Sequence, residues 1–215
     1  MPADRRQFIA AAGAAGLLAA CGQKSNANAV ATGDIALGSA TAPVTMIEYA
    51  STMCPHCSEF HETIFPGLKQ KYIDTGKLRF VFREFATEPR EFAYAGFMIA
   101  RCVGDTPQKY YDMLGVMFEQ QRPIFEAARA NQGREKLLEI ARTAGMSEEA
   151  FNACVADPAG IERIRAVEQA GMDQFKLDST PTVIIDGEKI PNTVEAPYTL
   201  ESLSARIDAK LAARG

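Results

Sequence analysis

The chain has no tryptophan and only two histidines, His56 and His61, among its 215 residues. A structural zinc site takes four ligands, mostly cysteine and histidine, so two histidines leave little for a metal centre to draw on. No basic run and no alternation of aromatic with basic residues occurs, and the formal net charge is −4. The electrostatic footprint of a nucleic-acid binder is therefore missing. No internal repeat is visible. The apolar stretch from Phe8 to Ala20 is shorter than the about 20 residues that span a bilayer.

What that stretch does fit is an export signal. Arg5 and Arg6 supply a basic start, Phe8–Ala20 has the length of a signal-peptide core, and Leu18-Ala19-Ala20-Cys21 resembles a bacterial lipobox. In that motif the cysteine becomes the first mature residue and carries lipid. The paired arginines in Asp4-Arg5-Arg6-Gln7-Phe8-Ile9 resemble a twin-arginine export signal. The plainer alternative is an ordinary secretory signal with a chance cysteine. Residues 1–20 are thus read as a signal peptide and residues 21–33, small and polar, as a flexible tether. What remains is long enough for one domain with an insertion.

The chemistry concentrates at Cys54-Pro55-His56-Cys57. This segment follows a strand-like run, Val44–Tyr49, and precedes a helix-like one. Cys54 is then expected at a helix N-terminus, where unpaired N–H groups and the macrodipole favour negative charge. A thiolate is stabilised there, and the thiolate is the form that attacks disulfides. His56 can add positive charge or a hydrogen bond. A CxxC pair also occurs in zinc sites, and Cys54, Cys57 and His61 are the residues such a site would use. Of five cysteines, assigning Cys21 to lipid and Cys54 with Cys57 to redox leaves Cys102 and Cys154. In an oxidising compartment two such cysteines form a structural disulfide, the alternative being two buried thiols.

Along the chain, Ile35–Gly38 reads as a short strand and Val44–Tyr49 as a second, with Val44, Met46 and Glu48 on one face. A helix from Pro55 carries Phe60, Ile64, Leu68 and Tyr72 on one stripe, with a kink expected at Pro66. Leu78–Phe85 reads as a buried strand. Residues 89–170 read as helical, with Thr106-Pro107, Ser147 and Asp157-Pro158 as helix starts and Gly145 and Gly171 as stops. Strand character returns at Thr182–Ile185 and Lys189-Ile190, around an Asp186-Gly187 hairpin signal. A last helix spans Leu200 to Leu211. The architecture is an α/β sheet interrupted by a helical block.

On Cys54-Pro55-His56-Cys57, Thr180-Pro181 and the helical insertion between Phe85 and Gly171, the mature chain resembles the DsbA-like branch of the thioredoxin superfamily. The resemblance implies a thioredoxin fold with an inserted all-helical domain: residues 34–88 and 171–215 form the thioredoxin-like part and residues 89–170 the insertion. It implies a thiol:disulfide oxidoreductase that forms disulfides in exported proteins. Cys54 is the nucleophile, Cys57 the resolving cysteine, and Pro55 and His56 complete the CPHC motif. Pro181 is the cis-proline facing them, and Thr180 offers backbone hydrogen bonds to substrate. Glu48 matches a buried acidic residue near the active site in many relatives, a possible proton relay. The pair Cys102 and Cys154 matches a subgroup with a second disulfide. No cofactor beyond the Cys54–Cys57 disulfide and no metal is implied. Partners are reduced exported proteins or peptides, a membrane or soluble redox partner, and a membrane held through the lipid anchor. The expected setting is the periplasmic side of a bacterial envelope, as a monomer. Two other functions stay open: an isomerase or reductase kept reduced by a partner, and a non-catalytic lipoprotein that binds peptide or metal.

Overall fold

The structure is a computed structural model that describes residues 30–214. The signal peptide, the lipobox with Cys21 and residues 21–29 of the tether lie outside the described residues. β-Branched and aromatic residues are frequent in the two longest strands, β2 (Val44–Ala50) and β3 (Leu78–Glu84), which pair in parallel with Met46 opposite Phe80 and Glu48 opposite Phe82. Parallel neighbours need a crossover. Here it is α1 (Pro55–Thr63), α2 (Phe65–Leu68) and a π-helical turn at Lys69–Ile73. The kink expected at Pro66 falls at Ile64, whose φ is −110°. Proline lacks the N–H and crowds the preceding turn, so α1 ends before it and the chain re-enters as α2.

β1 (Ala36–Leu37) lies antiparallel on the outer edge of β3, and β4 (Thr182–Ile185) antiparallel on the other side of β2. β5 (Glu188–Lys189) closes the hairpin from β4, giving the order β1-β3-β2-β4-β5. Asp186 and Gly187 at its tip both have positive φ, 48° and 81°, the conformation of a two-residue hairpin turn. β2 is therefore central, and the end of a central strand is where the site is built.

Both faces of the sheet are covered. Met46, Phe80, Phe82, Val183 and Ile185 join Phe60, Phe97, Leu114 and Phe118 in the main core. Ile47, Tyr49, Val81 and Ile184 form a second core with Leu177 and flanking Val167 and Phe175. Period-2 alternation thus separates two buried faces rather than core from solvent.

Six helices fill the chain between β3 and β4: α3 (Arg90–Val103), α4 (Pro107–Glu119), α5 (Gln121–Arg129), α6 (Gly133–Thr143), α7 (Glu148–Val155) and α8 (Pro158–Phe175). The caps read from sequence are present: Thr106, Ser147 and Asp157 accept from Lys109, Ala150 and from Ala159 and Gly160 N–H groups. α5 adds a helix start, with Pro123 in its first turn, to those read from sequence. One reading needs correction. Gly171 does not stop α8, which runs on to Phe175 and ends at Lys176 in the left-handed region, φ 52°. Gly171 is there because Leu177 and Tyr49 leave no room for a Cβ. α9 (Leu200–Ala212), capped by Thr199, packs beside α2. Buried Glu84 at the end of β3 accepts from Arg101 of α3 at 2.6 Å and Arg163 of α8 at 3.0 Å, tying helices to sheet.

Candidate active site

β2 ends at Ala50, and Ser51–Cys54 turn the chain into α1. Cys54 N–H donates to Ser51 O at 3.1 Å and Met53 N–H to Ser51 Oγ at 3.1 Å, so a buried serine shapes the turn. Cys54 caps α1 in extended conformation, and its carbonyl accepts from the N–H groups of Cys57 and Ser58 at 3.0 and 3.1 Å. Pro55 takes the first helical position, where no N–H is needed. From the helical block, the Gln121 side-chain amide donates to Thr52 O at 2.8 Å and Cys54 O at 3.0 Å. Sequence reasoning missed Gln121, because nothing local marks a buried glutamine aimed at a loop 67 residues away.

The two thiols of the motif are both buried and unbonded, and they are pushed in opposite directions. A hydrogen bond from Cys57, strong enough to outweigh burial, lowers Cys54 to about 6, with help from the Thr180 side chain and the N–H groups of Cys57 and His56. Burial, together with the neighbouring Cys54 and the charge of Glu48, raises Cys57 well above 9.0. The His56 ring itself points away. It is 81% exposed, with Nδ1 3.7 Å from Glu59 Oε2. The main-chain N–H of His56 contributes to Cys54.

The Thr180–Pro181 peptide bond is cis, and Thr180 O accepts from Cys54 Sγ at 3.4 Å. The Thr180-Pro181 loop and the CPHC turn therefore meet across the end of the sheet although 126 residues separate Cys54 from Thr180. Beside them opens a groove of about 440 Å³ lined in part by His56, Phe60, Pro181, Tyr198 and Leu200. Tyr198 is fixed by donating to Ile190 O at 2.8 Å and accepting from Val183 N–H at 3.1 Å.

Glu48 is fully buried beneath α1, and its Oε2 lies 2.8 Å from His61 Nε2. His61 stacks on Phe118, ring centroids 4.2 Å apart. The histidine that sequence reading offered to a metal is thus engaged by a carboxylate. Among the described residues no group of three or more His, Cys, Asp or Glu side chains is placed to hold a metal ion, and no helix is long and apolar enough to cross a membrane. Cys102 near the end of α3 and Cys154 near the end of α7 are joined by a disulfide, Cα–Cα 6.3 Å.

A pair of oppositely perturbed thiols at a helix start, facing a cis-proline loop, is built for thiol–disulfide exchange. Residues 30–209 match the family described as Thioredoxin. A Rickettsia typhi protein named "Putative protein-disulfide oxidoreductase" is 32% identical over 178 residues, which cover 83% of this chain and 62% of that protein. The chain therefore spans less than two thirds of the length of that relative. The crystal structure of Wolbachia pipientis alpha-DsbA1 superposes with a TM-score of 0.72 at 28% identity, covering 84% of this chain and 92% of that one. Oxidised BdbD of Bacillus subtilis shares the fold, with a TM-score of 0.69 at 19% identity over 84% of this chain and 94% of that one. On these matches the chain belongs to the thioredoxin family, in its DsbA-like branch, with a thioredoxin sheet carrying inserted helices.

Proposed function

We propose that the protein is a thiol:disulfide oxidoreductase that introduces disulfides into exported proteins through Cys54 and Cys57. The observation that carries this is the geometry at the end of β2: Cys54 at the start of α1, Cys57 one turn on, and the Thr180–Pro181 loop across from them with Thr180 O 3.4 Å from Cys54 Sγ. In the oxidised enzyme a substrate thiolate attacks Cys54 Sγ, and Cys57 leaves. A second substrate thiolate then attacks the substrate sulfur of the mixed disulfide, and Cys54 leaves as a thiolate. A low-pKa thiol leaves fast, so the mixed disulfide resolves toward oxidised substrate. The substrate loses two electrons and two protons to the cysteine pair, and a membrane or soluble redox partner reoxidises it.

The groove beside Pro181 supports a role for Thr180 and Pro181 in seating an extended substrate segment, whose main chain would add to the exposed edge of the loop. Glu48 is assigned as acceptor of the Cys57 proton. The Cys102–Cys154 disulfide is assigned a structural role in the helical insertion, residues 89–170, between the thioredoxin-like segments 34–88 and 171–215. Residues 1–20 with Cys21 support a lipid-anchored protein on the periplasmic side of the envelope, residues 21–33 being the tether. No dimerisation segment is read in the tether, and the protein is assigned as a monomer.

The test is the equilibrium potential of the Cys54–Cys57 pair in glutathione buffers, with Cys102 and Cys154 followed separately by mass. A potential well above the glutathione couple is expected. A potential near or below about −270 mV, that of thioredoxin, would replace the oxidase by a reductase or isomerase kept reduced by its partner.

A further inference from the structure

Glu48 has one oxygen on His61 and the other on nothing. Oε1 is fully buried without a hydrogen-bond partner. An unsatisfied buried carboxylate oxygen costs stability, so a buried Glu48 whose charge acts on Cys57 calls for a reason. On the far side, the His61 ring lines a cavity of about 360 Å³ between α1 and α4, bounded also by Ser58, Phe65, Tyr111 and Phe118, with Glu62 and Glu119 at its rim. The His61 side chain is only 7% exposed, and Phe118 holds its ring in place by stacking. The imidazole therefore stands between a sealed carboxylate and a space open to water.

We propose that His61 is the outlet of a proton relay, Cys57 to Glu48 to His61 to water in the α1–α4 cavity. The proposal rests on Cys57 being the resolving thiol and Glu48 its proton acceptor, and adds the residue and the path by which the proton leaves. With His61 protonated on both ring nitrogens, Nε2–H donates to Glu48 Oε2. During reoxidation Cys54 carries a mixed disulfide with the redox partner. The Cys57 S–H proton passes to the Glu48 carboxylate, and His61 releases its Nδ1 proton to cavity water. The Cys57 sulfur pair forms the bond to Cys54 Sγ, and the Cys54–partner bond breaks with its electrons going to the partner's sulfur. The carboxylate–imidazole pair is neutral before and after.

The return step closes the cycle. When substrate attacks Cys54 and Cys57 leaves as a thiolate, Glu48 returns its proton and His61 takes one from the cavity. A relay of this kind lets a fully buried thiol change protonation without opening the fold. The other titratable groups around the pair are Cys54, Tyr111 of α4, Tyr198 before α9, and the rim acids Glu62 and Glu119. Both tyrosines are held protonated by burial, so they add no charge of their own near neutral pH.

The experiment mixes reduced enzyme with a glutathione disulfide bearing two mutually quenching fluorophores. Attack by Cys54 releases the first fluorescent thiol, and attack by Cys57 releases the second. His61→Gln keeps an N–H for Glu48 but cannot pass a proton through a ring. In it the second phase is expected to slow about 10²-fold, with the first phase and the Cys54 titration unchanged. His61→Ala opens the ring's space to the cavity, and added imidazole should restore its second phase without affecting wild type. A slowed second phase in Glu48→Gln with an unchanged one in His61→Gln overturns the relay and leaves the acceptor assignment standing. Unchanged second phases in both variants overturn both. Equal slowing of the two phases in His61→Gln, or no restoration of His61→Ala by imidazole, assigns His61 to packing and overturns the relay.

Discussion

Cys102 and Cys154 come from two different helices, α3 and α7, and are bonded across 52 residues. Cys54 and Cys57 lie one helical turn apart and stand as separate thiols. The first pair is placed by packed helices and closed into a disulfide. The second pair has one sulfur at a helix start among N–H donors and the other sunk beneath it. Position decides between a staple and a reagent, since the side chains are the same. The sharpest way to break the comparison is Cys54→Ser. Exchange with a reduced peptide is expected to fall to the uncatalysed background, whereas binding of the peptide, measured by fluorescence anisotropy, should survive. Residual turnover in the variant would show that Cys54 is not the attacked sulfur.

The complementary test removes the staple. Closing a loop of 52 residues is worth about 4 kcal/mol in the chain-entropy treatment, and native disulfides typically give about 2–4 kcal/mol. The double variant Cys102→Ala, Cys154→Ala should lose that much in denaturant unfolding while its initial exchange rate stays within a few-fold of wild type. A collapse of exchange at temperatures where the variant is still folded would mean that the two pairs are not independent.

The thiol split also predicts a pH dependence that only the second pair can show. In the unfolded chain Cys54 titrates near 9.0, and in the folded one at about 6. The reduced fold therefore gains stability as pH rises from about 6 toward 9, and this contribution disappears as pH falls through the folded value. Cys57, held well above 9.0 by burial, acts with the opposite sign only above that pH. Thermal melts of reduced and oxidised protein should diverge in favour of the reduced form between pH 6 and 8.5 relative to pH 5, by about a few degrees. Melts of reduced Cys54→Ser should lack the divergence. A parallel shift in the variant would assign the pH dependence to other groups.

Most of the fold was readable because the elements are punctuated locally. Thr106-Pro107, Ser147 and Asp157-Pro158 start helices by the hydrogen bonds their own side chains accept, and Asp186-Gly187 turns a hairpin by its own backbone preference. The CPHC turn and Thr180-Pro181 were likewise visible as short motifs. The features that escaped are those whose cause lies elsewhere in the chain. Gly171 looks like a stop but is a contact for Leu177 and Tyr49. His56 looks like the charge on the thiolate, but its ring faces Glu59. His61 looks like a surplus ligand until the sheet brings Glu48 beneath it. Local periodicity carries no information about which buried polar group will find which partner.

Gln121 is the clearest such case, and it offers the smallest of the expected effects. Its amide reaches from α5 to the carbonyls of Thr52 and Cys54, so the helical block holds the redox turn by two hydrogen bonds from one buried side chain. The Cys54 carbonyl also receives the first N–H groups of α1, which keeps it partly satisfied when the amide is removed. Gln121→Ala should therefore cost about 1–2 kcal/mol in denaturant unfolding. If the contact also sets the angle at which α1 presents its N–H groups to Cys54, the thiolate titration of the variant will move upward from about 6. Gln121→Glu places a carboxylate oxygen against both carbonyls. It should destabilise more than alanine, because two acceptors now face an acceptor with no proton between them. Absorbance titration of Cys54 alongside the unfolding curves separates the two roles. A variant that loses stability without moving the titration makes Gln121 a fastener of the helical block, and one that moves both makes it part of the device that tunes the thiol.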